Sequence, residues 1–131
     1  MASIAEILTQ SRTIAVVGLS GKPWRPSYGV AEYLQKAGYR IIPVNPNESV
    51  VLGQKAYPSL EAIPERVDIV NVFRRPEFVP EIVEAAIRIG ARVIWLQEGI
   101  RHEEAAEKAR RAGLEVIQDR CILKEHRRLL T

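Results

Sequence analysis

Cysteine and methionine each occur once in the 131 residues, histidine twice, and aromatic side chains make up only 6%. A lone Cys121 excludes an intramolecular disulfide and leaves no cysteine cluster for zinc. It reads as a small buried hydrophobe. His102 and His126 lack companions for metal or triad chemistry and read as surface residues. No apolar run approaches the roughly 20 residues needed to cross a bilayer, and no signal peptide is visible, so no membrane role and a cytoplasmic address are expected. An excess of one charge is missing too. The 19 basic and 16 acidic residues leave a net charge of +3, a hint of anionic ligands and far too little for a nucleic-acid partner. Repeats, linkers and low-complexity tracts are absent. What is present, 47% hydrophobic and 27% charged residues, fits one domain spanning residues 1–131 with a core of its own.

The chain is organised around Thr13-Ile-Ala-Val-Val-Gly-Leu-Ser-Gly-Lys-Pro-Trp-Arg-Pro-Ser27. Ile14 to Val17 form an apolar, β-branched run of the kind found in a parallel strand covered on both faces. Gly18, Ser20 and Gly21 then allow a sharp turn and leave room for a ligand. Ser27 is the expected N-cap of a following helix with Val30, Ala31 and Leu34 on its buried stripe and Gly38 at its C′ position. Strand, glycine loop and helix start together make an anion site, with amides and the positive end of a dipole aimed at one place.

Elsewhere, Ser3-Ile-Ala-Glu6 has the capping-box form and opens a short helix expected to pack rather than function. Strands are predicted at 39–44, 53–58, 68–73, 92–96 and 114–117. The helix after Pro76 carries Val79, Ile82, Val83, Ala86 and Ile87 at helical spacing. Another runs from about His102 to Ala112, with Glu104–Lys108 and Glu107–Arg111 pairs on its wet face, and a basic helical segment ends the chain. Alternating strands and helices imply an α/β, Rossmann-like, doubly wound parallel sheet in three layers (αβα), with about six strands in the order 3-2-1-4-5-6. That order reverses between the first strand and the strand at 68–73. The loops after them flank the ligand crevice and bring Lys22, Arg25, Arg74 and Arg75 to one rim.

The residues leave the ligand open. A dinucleotide is disfavoured because the loop reads Gly18-Leu-Ser-Gly-Lys-Pro rather than G-x-G-x-x-G. In addition, the second strand ends in Asn45-Pro46, where an NAD site carries an acid for the ribose. Trp24 either covers adenine or pantetheine or plugs the loop. Glu98 is the most acid-like residue near the crevice but has no nucleophile or base beside it, so a structural use is expected.

Val17-Gly-Leu-Ser20, Arg25-Pro-Ser-Tyr28, Ile42-Pro-Val-Asn-Pro46, Val72-Phe-Arg-Arg-Pro76, Gln97-Glu-Gly99 and Asp119-Arg-Cys121 resemble the small single-domain CoA-binding proteins. These are similar to the N-terminal domain of the succinyl-CoA synthetase α subunit. The resemblance implies that Gly18, Leu19, Ser20, Gly21, Lys22 and the helix start at Ser27 hold the pyrophosphate of coenzyme A, with Arg25 and Tyr28 beside them. Asn45 and Pro46 would lie near the adenosine. Phe73, Arg74, Arg75 and Pro76, with Gln97, Glu98 and Gly99, would line the path of the pantetheine arm. The synthetase's phosphohistidine belongs to a second domain that this chain lacks, so the resemblance implies binding of CoA or an acyl-CoA and no enzyme activity. The competing readings are a small NAD(P)-linked oxidoreductase and a regulatory module that senses a nucleotide and signals to a protein partner.

Overall fold

A computed structural model describes residues 2–131. Five strands form one parallel sheet: β1 (Thr13–Val17), β2 (Arg40–Val44), β5 (Ile69–Val72), β6 (Val93–Leu96) and β7 (Glu115–Ile117), in the order β2-β1-β5-β6-β7. Between β2 and β5 a two-stranded antiparallel ribbon joins β3 (Val50–Val51) to β4 (Gln54–Lys55). Helices α1 (Ile4–Gln10), α2 (Pro26–Lys36) and α5 (Ile122–Leu130) supply one face. Helices α3 (Val79–Arg88) and α4 (Glu103–Arg111) supply the other, so the fold is Rossmann-like.

The strands are apolar almost throughout because both faces are covered. Their alternation nevertheless sorts residues cleanly. Ile14, Val16, Ile41, Ile69, Val93, Trp95 and Ile117 meet Leu34, Ala31 and Ile122. Ala15, Val17, Ile42, Val44, Val70, Val72, Ile94 and Leu96 meet Val79, Val83, Ala86 and Ala109. The reversal of strand order falls between β1 and β5, where Val17 is paired with Val72. The crevice therefore opens at the ends of these two strands, as the sequence implies.

The sheet has five strands rather than six. Residues 53–58 do not form a full third strand. Leu52 (φ 53°) and Gly53 (φ 75°) both take left-handed conformations, the requirement of a tight two-residue hairpin turn, and they fold Gln54 and Lys55 back onto Val50 and Val51. Only Tyr57 reaches the sheet, as an isolated parallel bridge to Val44 on the outer side of β2. Pro58 follows it and has no N–H to continue a ladder.

The capping box at α1 is present, with Ser3 Oγ accepting from the Glu6 amide and Glu6 accepting from the Ser3 amide. On α4, Glu107 pairs with Arg111, whereas Lys108 turns away from Glu104 to Glu84 on α3. The two histidines are not free surface groups. His102 is the N-cap of α4, its Nδ1 accepting from the Ala105 amide at 3.1 Å. His126 is buried in the seam between α5 and α2, with Nδ1 2.8 Å from the Tyr33 hydroxyl and the rings of Tyr33 and Tyr39 edge-on to it. Next to it, the buried Glu125 accepts from Arg120 at 3.0 Å and from Arg128. The basic ending is thus half surface and half seam, because an amphipathic helix buries whichever side chains its stripe includes.

Burial pushes the pKa of His126 below its ordinary 6.5. The unfolded chain therefore takes up the proton more readily than the folded one. The contribution of this group to stability is complete above about pH 6.5 and is lost as the pH falls from there through the folded-state value. Urea unfolding between about pH 7 and pH 5 is expected to show a loss of stability that His126→Gln reduces. An unchanged slope in that variant would remove His126 from the account.

Candidate functional site

The crevice is built from the tight exit of β1. Gly18 has φ 88°, and a Cβ there would stand 2.5 Å from the carbonyl oxygen of Phe73 and 3.1 Å from Cδ of Arg74. Only glycine lets the two strand ends pass this closely. Gly18 N–H donates to Val44 (2.9 Å), which ties the turn to β2 as well. Leu19 is fully buried in the core, and its carbonyl accepts from Asn45 Nδ2 at 3.0 Å.

The rest of the loop is laced by side chains. Ser20 N–H donates to Ser27 Oγ (3.1 Å), Gly21 N–H to Glu48 Oε2 (2.8 Å) and Lys22 N–H to Ser20 Oγ (3.1 Å). Three successive loop amides are thus each satisfied by a side chain. Ser27 is not the N-cap. Pro26, whose fixed φ suits the first helical position, starts α2 one residue earlier; Arg25 becomes the cap, without a side-chain hydrogen bond. Ser27 is then drawn inside the first turn, where its buried hydroxyl holds the loop.

Two cavities flank this turn, one on each side of the sheet. The larger, about 620 Å³, brings together all seven residues expected along the pantetheine path: Phe73, Arg74, Arg75, Pro76, Gln97, Glu98 and Gly99. Its remaining wall is Pro26, Val30, Ile100 and Cys121. Cys121 is only half buried and lies on the cavity wall, so it is not the buried hydrophobe expected. The smaller cavity, about 300 Å³, has Val17, Val44, Pro46, Ser59 and Leu60 among its lining. Arg74 borders both, its guanidinium 4.2 Å from the centre of the Phe78 ring.

Not every expected cation gathers here. Arg75 reaches the larger cavity but is exposed and pairs with Glu77 at 3.4 Å. Lys22 and Arg25 are exposed on the loop and line neither cavity. Trp24, 76% exposed, plugs nothing. Tyr28 packs onto the α2-side core, and Asn45 serves as a brace between β2 and the loop. Glu98 is held by Lys124 at 2.9 Å on the surface.

The far wall is a knot between two loops. Gly99 N–H donates to Asp119 (2.6 Å) and Ile122 N–H to the buried Gln97 side chain (3.0 Å), while Trp95 Nε1 donates to the Arg120 carbonyl. Two buried side chains among the described residues, Ser11 and Asn71, have no such partner. Asn71 is fully buried on β5, two residues before Phe73, and neither of its amide atoms is hydrogen-bonded. Sequence reasoning missed Glu48 and Asn71. A polar residue interrupting the apolar run of β5 is a readable signal, whereas nothing in the sequence aims Glu48 at Gly21. Among the described residues there is no cluster of three or more histidine, cysteine or acidic side chains suited to a metal ion. No described helix is long and apolar enough to cross a membrane.

The model of the CoA-binding domain family matches residues 12–127. The chain belongs to the CoA-binding domain family. It is similar to an uncharacterized protein, YneT, of Bacillus subtilis (strain 168), with 48% identity over 95% of this chain and 93% of that protein. It is also 31% identical to the α subunit of an ADP-forming acetate–CoA ligase II of Pyrococcus furiosus, over 85% of this chain and 27% of that subunit. The chain thus corresponds to about a quarter of the ligase subunit's length. Among solved structures, a hypothetical protein of Pyrococcus horikoshii OT3 superposes with a TM-score of 0.95 and 45% identity, covering 98% of this chain and 90% of that one.

In this CoA-binding domain, two glycines with positive φ separate conformational need from steric need. Gly38 (φ 105°) faces open space, whereas Gly18 faces the Phe73 carbonyl. Gly38→Ala should cost about 1–2 kcal/mol. Gly18→Ala should cost at least about 3 kcal/mol, since backbone must move as well. Urea denaturation of the two variants checks this; equal losses would mean that the strand ends can separate without penalty.

Proposed function

We propose that this domain binds coenzyme A or a CoA thioester across the crevice and carries out no chemistry of its own. The observation that carries the reading is the pair of cavities joined by Arg74 around the glycine turn. A ligand with two unlike ends and phosphates in the middle suits that arrangement. The adenosine end belongs in the smaller cavity beside Pro46, the pantetheine arm in the larger one between Phe73 and Gly99, and the pyrophosphate at the turn. Arg74 is the cation best placed for the phosphates, because stacking on Phe78 limits the side-chain freedom lost on binding. Family membership and the similarity to a subunit of an acetate–CoA ligase support the same ligand.

The absence of chemistry rests on the groups at the crevice. Glu98 is paired with Lys124, and no side chain is hydrogen-bonded to the free Cys121 thiol among the described residues. A nucleophile activated by proton transfer needs a base at that distance.

Calorimetric titration is expected to show CoA binding and NAD binding much more weakly; tighter binding of NAD would overturn the reading. Arg74→Ala should weaken CoA about tenfold. Cys121 supplies a second readout. Acetyl-CoA, which has no free thiol, should slow alkylation of Cys121 by filling the larger cavity, whereas ADP should leave the rate unchanged. Equal protection by both ligands would remove the pantetheine arm from that cavity.

A further inference from the structure

The glycine loop already holds an anion. Glu48 lies on the turn after β2, and its carboxylate accepts from the Gly21 amide at 2.8 Å. It also occupies the space a side chain at Gly21 would need: a Cβ there would stand 2.8 and 3.0 Å from the two carboxylate oxygens. Gly21 does not have the positive φ of Gly18, and the acid packed on it is what a side chain there would have to push aside. The two neighbouring loop amides, at Ser20 and Lys22, bond to neutral hydroxyls. Glu48 alone brings charge.

Its choice of partner is informative. Lys22 and Arg25 stand exposed on the same loop, yet among the described residues no lysine or arginine pairs with Glu48. The carboxylate sits instead against a backbone N–H, in a charge-assisted hydrogen bond of the kind a phosphate oxygen makes. Loops of successive amides are concave anion sites, and here the protein's own carboxylate fills the position.

We propose that Glu48 is a stand-in anion, displaced from Gly21 when a ligand phosphate enters, and that it sets the affinity of the loop. This rests on the reading that the crevice takes CoA. A phosphate competes with the carboxylate for one amide and is repelled by it at close range. Every phosphate ligand therefore binds more weakly than the bare loop would allow. Ligands that fill only the smaller cavity, such as ADP lacking a pantetheine arm, are held more weakly than CoA. CoA, filling both cavities, overcomes the same displacement. Glu48 acts in this way as an affinity-setting residue, raising the threshold that every phosphate ligand must clear while contacting none of the ligand in the bound state.

Calorimetric titrations of the wild type, Glu48→Gln and Glu48→Ala with CoA and with ADP test this. The alanine variant should bind both ligands about tenfold more tightly, the size of one charge-assisted hydrogen bond. The glutamine variant, which keeps an oxygen for Gly21 without the charge, should gain a few-fold. In ¹⁵N-labelled protein, the Gly21 amide proton should move upfield in free Glu48→Ala and return downfield on adding CoA. Affinities equal to or below wild type in both variants would overturn the proposal and make Glu48 a brace for the loop. If Glu48→Ala melts earlier than wild type, Glu48→Gln decides, because it retains the hydrogen bond. A wild-type protein that does not bind CoA overturns the CoA reading instead, and the ADP titration then judges Glu48: no tightening in either variant overturns it.

Discussion

At Gly18 the chain leaves β1 with φ 88° and passes so close to β5 that a Cβ would lie 2.5 Å from the Phe73 carbonyl oxygen. The crevice takes its shape from that approach. It pulls the glycine loop over the end of β5 and sets Arg74 beside the turn, where this side chain borders a cavity on each face of the sheet. A larger residue at position 18 would part the two strand ends, and the cavities with them. The topology demands the approach, since β1 and β5 are neighbours at the point where the strand order reverses.

Around the turn, the two walls are secured differently. The wall formed by residues 97–99 and 119–122 is tied by backbone groups to fixed side chains, with Gln97 and Trp95 buried. Beneath it, α5 docks through Glu125, whose buried carboxylate satisfies two exposed arginines. Removing one partner of such a group is costly even where the pair itself adds little. The glycine loop has the opposite character. Its amides are satisfied by hydroxyls and one carboxylate, which can exchange for ligand oxygens without leaving a buried amide unpaired. A rigid wall facing an exchangeable loop suits recognition of a flexible, phosphate-bearing ligand.

Much of this was legible in the chain. The apolar, β-branched runs at 14–17 and 68–73 can only be covered strands. The spacing of Val79, Ile82, Val83 and Ala86 can only be a buried helix face, and it is. Alternation of strand and helix then limits the sheet to a few orders, which put Arg74 and Arg75 at the crevice rim, whereas residues 97–99 came only from the resemblance to the CoA-binding proteins. The third strand failed because Leu52–Gly53 turned the chain back and Pro58 ended the pairing. These are local signals, but the turn wins only once the hairpin and β2 compete in space.

Local patterning determined the elements, their order and the place where a ligand would enter, because strand and helix periodicities are properties of short windows. Tertiary structure alone decided which polar groups meet. Glu48 lies 27 residues from the amide it holds, and Tyr33 lies 93 residues from His126. Ser27 turned from cap to brace when Pro26 took the first helical position. Side-chain hydrogen bonds depend on distances of a fraction of an ångström between segments that the sequence leaves far apart. The glycine loop could therefore be read from the chain, whereas the acid already seated in it could not.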